Sequence, residues 1–175
     1  MITSLDDVLA HAQIRELAHR YSLALDSRDM DMLVDLFDED VRTGDEIGRD
    51  ALRRSFDGMM REVGITILNV GTHVIERDGP DDARGWVYAW GQIQDGDRWI
   101  IQSILYTDRY VRRTGFSGDR WYFARHRRHR LWYGAEVGVN PLTLPPANWP
   151  EHHDGMGDVP AAACPTWARY WEGQA

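Results

Sequence analysis

The hydrophobic pattern of this chain changes its period once, near Gly64, and that change limits the folds open to it. Up to Gly64, apolar residues recur at helical spacing in three segments. After it, apolar and polar residues alternate, as in half-buried strands. The predicted helices cover about 5–25, 30–37 and 51–63, and the predicted strands cover 65–77, 83–94, 98–113 and 120–134. Three helices followed by a long antiparallel meander predict an α+β fold.

The first predicted helix carries an apolar stripe that ends in an acid. The stripe consists of Ile14, Leu17, Ala18, Tyr21 and Leu25. Asp26 follows it directly, and a carboxylate in this position is costly to bury without a partner. We therefore expect a residue later in the chain to pair with Asp26. The candidate is His73, in the strand segment ITILNVGTHVIE.

The size and composition favour one domain over residues 1–175. The chain is 43% hydrophobic and holds eight Trp, which suffices for one well-formed core. We expect that core within residues 1–134. The remainder, 135–175, is rich in Pro and Trp, which predicts an irregular arm docked on the surface. This arm is a brace, a lid or a subunit contact.

Several classes of function are disfavoured by composition. The formal net charge of −8 argues against nucleic acid, and the basic run at 125–130 is expected to be a solvated strand face. The chain has no lysine, so Schiff-base and P-loop chemistry are excluded and no cofactor is expected. His126 and His129 are three residues apart, on opposite strand faces, so no metal site is expected. No apolar run is long enough for a membrane span, no signal peptide is visible, and Cys164 is the single cysteine, which together predict a cytoplasmic protein.

Several segments together resemble the SnoaL-like branch of the nuclear-transport-factor-2-like superfamily. They are IRELAHRYSLALDSRD, LVDLFDEDV, GRDALRRSF, THVIE and DGDRWIIQSILYTDRYVRR, within about residues 10–134. The resemblance implies a conical α+β barrel, in which a curved, mostly antiparallel sheet and three N-terminal helices close an apolar pocket. Members include scytalone dehydratase, bile-acid 7α-dehydratase, lindane dehydrochlorinase, ketosteroid isomerase and polyketide cyclases, together with non-catalytic dioxygenase subunits.

The resemblance also assigns roles to particular positions. Asp26 and His73 fall where the lyase-like members carry an acid–histidine dyad that removes a proton from carbon. Tyr21 matches the tyrosine of the bile-acid dehydratase, and Thr43 stands where the dehydrochlorinase has Trp, which disfavours a chlorinated substrate. The last strand supplies an Arg, either Arg125 or Arg127 here. From strand alternation alone, Tyr106 lines either the pocket or the opposite face of the sheet.

These observations predict a cofactor-independent lyase or isomerase, dehydratase-like, that acts on a small hydrophobic cyclic substrate. His73 would take the proton and Asp26 would orient the imidazole. Tyr21 or the last-strand Arg would stabilise the developing oxyanion. The alternatives are a polyketide-type cyclase that uses the same pocket, and a non-catalytic module, either a dioxygenase small subunit or a binder of apolar ligands. We expect a homo-oligomer, a dimer or a trimer, because a sheet rich in exposed aromatic residues needs covering.

Overall fold

The computed structural model describes residues 2–115, 118–146, 155 and 165–172, with the backbone alone at 115, 118 and 125–128. Its elements follow the order expected from the change of period. The helices are α1 (Leu5–Ser27), α2 (Met30–Asp35), α3 (Arg49–Arg61) and α4 (Pro165–Glu172). The strands are β1 (Arg42–Thr43), β2 (Glu46–Ile47), β3 (Thr66–Arg77), β4 (Asp82–Asp95), β5 (Arg98–Gly115) and β6 (Gly118–Val137).

The main sheet is a four-stranded antiparallel meander in the order β3-β4-β5-β6, and β1 and β2 form a separate hairpin. Helix α1 packs against both edge strands, β3 and β6, so the sheet curves around the helix. Within the described residues β3 and β6 do not pair with each other. The α+β fold with a curved antiparallel sheet is therefore confirmed, but the sheet is not closed into a true barrel.

Local sequence explains where helices α1 and α2 begin and end. Ser4 and Asp7 form a capping box, in which each side chain accepts from the other residue's backbone amide. Arg28 ends α1 in the left-handed conformation, with φ of 58°. Asp29 then caps α2 by accepting from the amide of Met32. The polar segment after Asp26 is therefore a tight junction between two helices.

The core lies between α1 and the inner face of the sheet. The predicted stripe of α1 is buried in full, with Ile14 and Ala18 completely inaccessible. On β4 the small residues Val87 and Ala89 face the core, while Tyr88 and Trp90 face outward. Both faces agree with the alternation in the sequence.

The C-terminal segment contains more regular structure than its composition predicts. Residues Pro141–Thr143 form a 3₁₀ turn, and α4 is a two-turn helix whose Tyr170 is buried. Pro165 occupies the first turn of α4, where a missing amide hydrogen costs nothing. The expectation of a wholly irregular arm is thus wrong for this part of it. None of the helices that the structure describes is long and apolar enough to cross a bilayer.

Candidate active site

A pocket opens between the C-terminal half of α1, helix α3 and the inner face of the sheet. Its cavity has a volume of about 180 Å³. Its walls are mainly apolar, with Phe56, Met59 and Met60 from α3 facing Ile104 across the space. Polar side chains are the minority of the lining, as is typical of a site for a small hydrophobic molecule. They are Tyr21, Asp26, Thr66, Gln92, Gln102, Tyr106 and His129.

Asp26 is the one carboxylate among the described residues that line this pocket. It is half-buried, and both of its oxygens are held by β3. Oδ2 accepts from the amide of Leu68 at 2.9 Å, and Oδ1 accepts from the Thr66 hydroxyl at 3.2 Å. Burial raises the pKa of Asp26, while these two hydrogen bonds and the charge of Arg28 act in the opposite direction. A carboxylate of raised pKa in an apolar pocket is suited to accept a proton.

Three ring-bearing side chains lie along the pocket beside this carboxylate. Tyr21 is buried and packs edge-on against Tyr106, with ring centroids 6.0 Å apart. Tyr106 stacks on His129, with centroids 5.2 Å apart. The open question about Tyr106 is thereby answered, because its ring lies on the pocket side of the sheet. Tyrosine and histidine both offer hydrogen-bond donors to an oxygen of a bound molecule.

His73 lies in a different part of the inner face. Its Nε2 is 3.0 Å from the Tyr110 hydroxyl, which in turn donates to Asp108 at 3.1 Å. Asp108 and Tyr110 are both fully buried. His73 is therefore linked through Tyr110 to a buried carboxylate other than Asp26.

The structure therefore does not bring Asp26 and His73 together, and the predicted dyad needs correction. Helix α1 runs antiparallel to β3, so its C-terminal end is level with Leu68, to which Asp26 is bonded. His73 lies five residues further along the strand, beyond the register shift between Val70 and His73, and its Nε2 contacts Tyr110 instead. His73 is also absent from the residues that line the pocket.

The remaining predicted site residues are Thr43, Arg125 and Arg127. Thr43 lies on β1, opposite Glu46 in the small hairpin, and it does not line the pocket. Arg125 and Arg127 belong to β6, but their side chains lie outside the described residues, so the choice between them stays open. No group of three metal-ligating side chains occurs within the described ranges.

Two residues of the site were missed by reasoning from the sequence. His129 was considered only as a metal ligand, although its position opposite Tyr106 places it in the pocket. Arg28 is only 2% exposed and donates to the Thr66 hydroxyl that contacts Asp26, and the sequence analysis assigns it no role. The one available signal for Arg28 was its position directly after a helix that ends in a buried acid.

The fold and the pocket define a class of protein: an open α+β cone in which helices cover a mainly apolar pocket on the inner face of a curved sheet. Within that class, the chain belongs to the SnoaL-like domain family, whose model matches residues 6–127. The family is part of the nuclear-transport-factor-2-like superfamily, in agreement with the resemblance seen in the sequence.

Several solved structures have a similar fold. A hexachlorocyclohexane dehydrochlorinase from Novosphingobium barchaimii is 19% identical, with a TM-score of 0.68 over 78% of this chain and 95% of that one. A scytalone dehydratase-like protein from Novosphingobium aromaticivorans is 20% identical, with a TM-score of 0.63 over 77% and 92%. Rv3472, a Mycobacterium tuberculosis protein of unknown function, is 26% identical, with a TM-score of 0.59 over 70% and 76%. A search of curated proteins gave no significant match.

Proposed function

We propose that this protein is a lyase or isomerase, dehydratase-like and independent of a cofactor, that removes a carbon-bound proton from a hydrophobic cyclic substrate. The observation that carries the proposal is the Asp26 carboxylate in the wall of an apolar pocket. Membership of the SnoaL-like family supports an enzyme of this kind. Compared with the prediction from sequence, the proton acceptor is Asp26 itself and no longer His73.

The chemistry follows from the hydrogen bonds of Asp26. Each carboxylate oxygen accepts one hydrogen bond from β3, and each retains a further lone pair for a substrate. Asp26 takes the proton of a carbon next to a carbonyl, and the electron pair of the broken C–H bond moves onto the carbonyl oxygen as an enolate. A donor such as Tyr21 or Tyr106 stabilises this oxyanion. The enolate then either expels a β-hydroxyl, which leaves as water with the proton that Asp26 took, or takes that proton from Asp26 at another carbon.

The same first step would serve a polyketide-type cyclase, in which the enolate attacks a carbonyl of the same molecule. A non-catalytic binding module is the rival from another class. The apolar lining and the distance of His73 from the pocket favour this rival over a His-dependent enzyme. The proposed enzyme and the binding module can be distinguished by measuring proton removal directly. A binding module holds its ligand without exchanging the ligand's carbon-bound protons.

The test begins with a thermal-shift screen of cyclic ketones and hydroxyketones, and the compounds that bind are incubated with the protein in D₂O. Mass spectrometry then measures deuterium incorporation at carbon. We expect exchange that falls by about 10²-fold or more in Asp26→Asn, because general base catalysis contributes ~10²–10⁴-fold. Binding should survive the substitution.

The matched control is Asp45→Asn, which neutralises an exposed carboxylate between β1 and β2 and should exchange like the wild type. His73→Gln should retain exchange within about tenfold, since His73 does not line the pocket. Exchange that depends on His73 and not on Asp26 would contradict the proposal. Tight binding with no exchange in any compound would favour the binding module.

A further inference from the structure

Arg28 is a buried cation next to the pocket, and it is held by a set of oxygens. Its Nη1 donates to the carbonyl of Leu25 at 2.6 Å and to the Thr66 hydroxyl at 2.8 Å, and its Nη2 donates to the carbonyl of Gly64. Burial lowers the pKa of Arg28 to about 10, so the group remains charged at neutral pH. Among the described residues, Arg28 is the one residue other than glycine with positive φ. Such backbone strain persists where the surrounding structure enforces it.

The contact with Arg28 determines which way the Thr66 hydroxyl points. A guanidinium has donors only, so the Thr66 oxygen must accept from Arg28. The single hydroxyl proton of Thr66 is then directed to Oδ1 of Asp26, 3.2 Å away. A hydrogen bond donated to a carboxylate favours its ionised form. Arg28 thus acts on Asp26 through Thr66, in addition to its direct charge.

Helix α4 covers the opposite side of Arg28. The Trp167 ring lies over the guanidinium, with its centroid 4.6 Å from Cζ. Beside it, the Thr166 hydroxyl donates to the carbonyl of Ser27 at 2.8 Å, at the end of α1. One turn further, the Tyr170 hydroxyl donates to the carbonyl of Asp57 at 2.8 Å. Helix α4 is therefore fastened both to the end of α1 and to α3.

From these contacts we propose that Arg28 and Thr66 are positioning residues for Asp26. Helix α4 completes this chain of contacts, which we call the relay, because Trp167 packs over Arg28 and holds it in place. The relay runs from Trp167 through Arg28 and Thr66 to Asp26. It rests on the proposed function, in which Asp26 accepts the proton. The C-terminal helix then belongs to the support of the site and is more than an external brace.

Among the residues whose side chains the structure describes, few other charged or titratable groups face Asp26. Tyr21 on its own helix, Tyr106 on β5 and His129 on β6 line the same pocket. Helix α3 and strands β3 and β4 contribute apolar, hydroxyl and amide side chains to the lining. Among these neighbours, Thr66 and Arg28 are the side chains that hold the carboxyl in its ionised form. Removing either contact should therefore make Asp26 harder to ionise.

The experiment is a carbon-detected NMR titration of the full-length protein labelled with ¹³C at the aspartate carboxyls, with the Asp26 signal assigned from its loss in Asp26→Asn. We expect Thr66→Val to raise the titration midpoint of Asp26 by about one pH unit, the effect of losing one hydrogen bond to a charged group. Thr66→Ser keeps the hydroxyl and should restore the wild-type midpoint. Trp167→Leu should raise the midpoint in the same direction by a smaller amount.

The matched control on the same helix is Glu172→Gln, which neutralises an exposed carboxylate at the end of α4 and leaves Thr166, Trp167 and Tyr170 unchanged. It should leave the midpoint unchanged. Unchanged midpoints in Thr66→Val and Trp167→Leu, with intact ¹H–¹⁵N spectra, would overturn the relay. A shifted midpoint in Thr66→Val without a shift in Trp167→Leu would show that α4 does not support Arg28, and it would overturn the proposal. The titration needs no turnover, so its outcome is separate from that of the exchange assay.

Discussion

Burial raises the pKa of Asp26 above its ordinary value of 3.8, and this has a consequence for stability. The folded protein binds this proton more tightly than the unfolded chain does. The contribution of Asp26 to the free energy of unfolding therefore falls as pH rises from 3.8 through the raised folded pKa, and it stays low above that. The ionised carboxylate thus lowers the stability of the folded protein at neutral pH. A role in catalysis explains such a residue better than a role in folding.

Asp26→Asn removes this penalty while keeping an oxygen that accepts from Leu68. We expect the variant to be at least as stable as the wild type at pH 7, and its advantage to disappear as the pH falls towards about 4. Urea unfolding of both proteins between about pH 4 and pH 8 measures the difference. A clear loss of stability for Asp26→Asn at pH 7 would show that the ionised carboxylate stabilises the fold.

At the level of single residues, the sequence predicted that Asp26 needs a partner but not which one. The cost of burying a carboxylate at the end of an apolar stripe is visible in any sequence. The partners are the Thr66 hydroxyl and the backbone amide of Leu68, and an amide leaves no trace in residue identity. His73 is the more obvious partner because an imidazole pairs readily with a carboxylate. The sequence does not show which residue of β3 lies level with the end of α1.

At the level of elements, the strand positions were predictable and their registers were not. The alternating pattern placed all four long strands within a few residues, because one face of each is buried. Register shifts occur at Val70/His73 in the β3–β4 pair and at both Ser103/Ile104 and Asp108/Tyr110 in the β5–β6 pair. A bulge exchanges the faces of the residues that follow it. Sequence alternation alone therefore could not place His129 opposite Tyr106.

Strand β4 offers a test of how closely its inner face is packed. A Cβ built on Gly85 would lie 2.9 Å from the carbonyl oxygen of Val74 and 3.0 Å from the Tyr110 ring. We expect Gly85→Ala to lower the free energy of unfolding by about 1–3 kcal/mol and to displace Tyr110 from His73. The measurement is urea unfolding, together with the NMR shift of the His73 ring.

The matched control is Gly58→Ala, since nothing lies within 4 Å of a Cβ at that position in helix α3. This change should raise the free energy of unfolding by about 0.5–1 kcal/mol, because alanine loses less backbone entropy in a helix. Equal effects of the two substitutions would contradict the close packing of Tyr110 against β4.

On the scale of the whole molecule, the outer face of the sheet carries exposed aromatic residues that the proposed site does not use. We define the outer aromatic patch as Tyr88, Trp90, Trp132 and Tyr133, all between 39% and 63% exposed. Tyr88 stacks on Trp132, and Trp90 packs edge-on against Tyr133, so the four rings form two pairs across β4 and β6. A soluble monomer rarely leaves contiguous aromatic surface of this kind in water.

We therefore expect a homo-oligomer, a dimer or a trimer, that covers the outer aromatic patch with a second copy of the chain. The double variant Trp90→Glu, Trp132→Glu places charges in the patch and should dissociate the assembly to a species of about 20 kDa with an unchanged circular-dichroism spectrum. Leu23→Glu, a charge on an exposed leucine of α1, is the matched control and should leave the mass unchanged. Light scattering at high concentration measures the mass. A wild-type protein of monomer mass under these conditions would contradict the prediction, because the aromatic rings would then be tolerated in water without a partner.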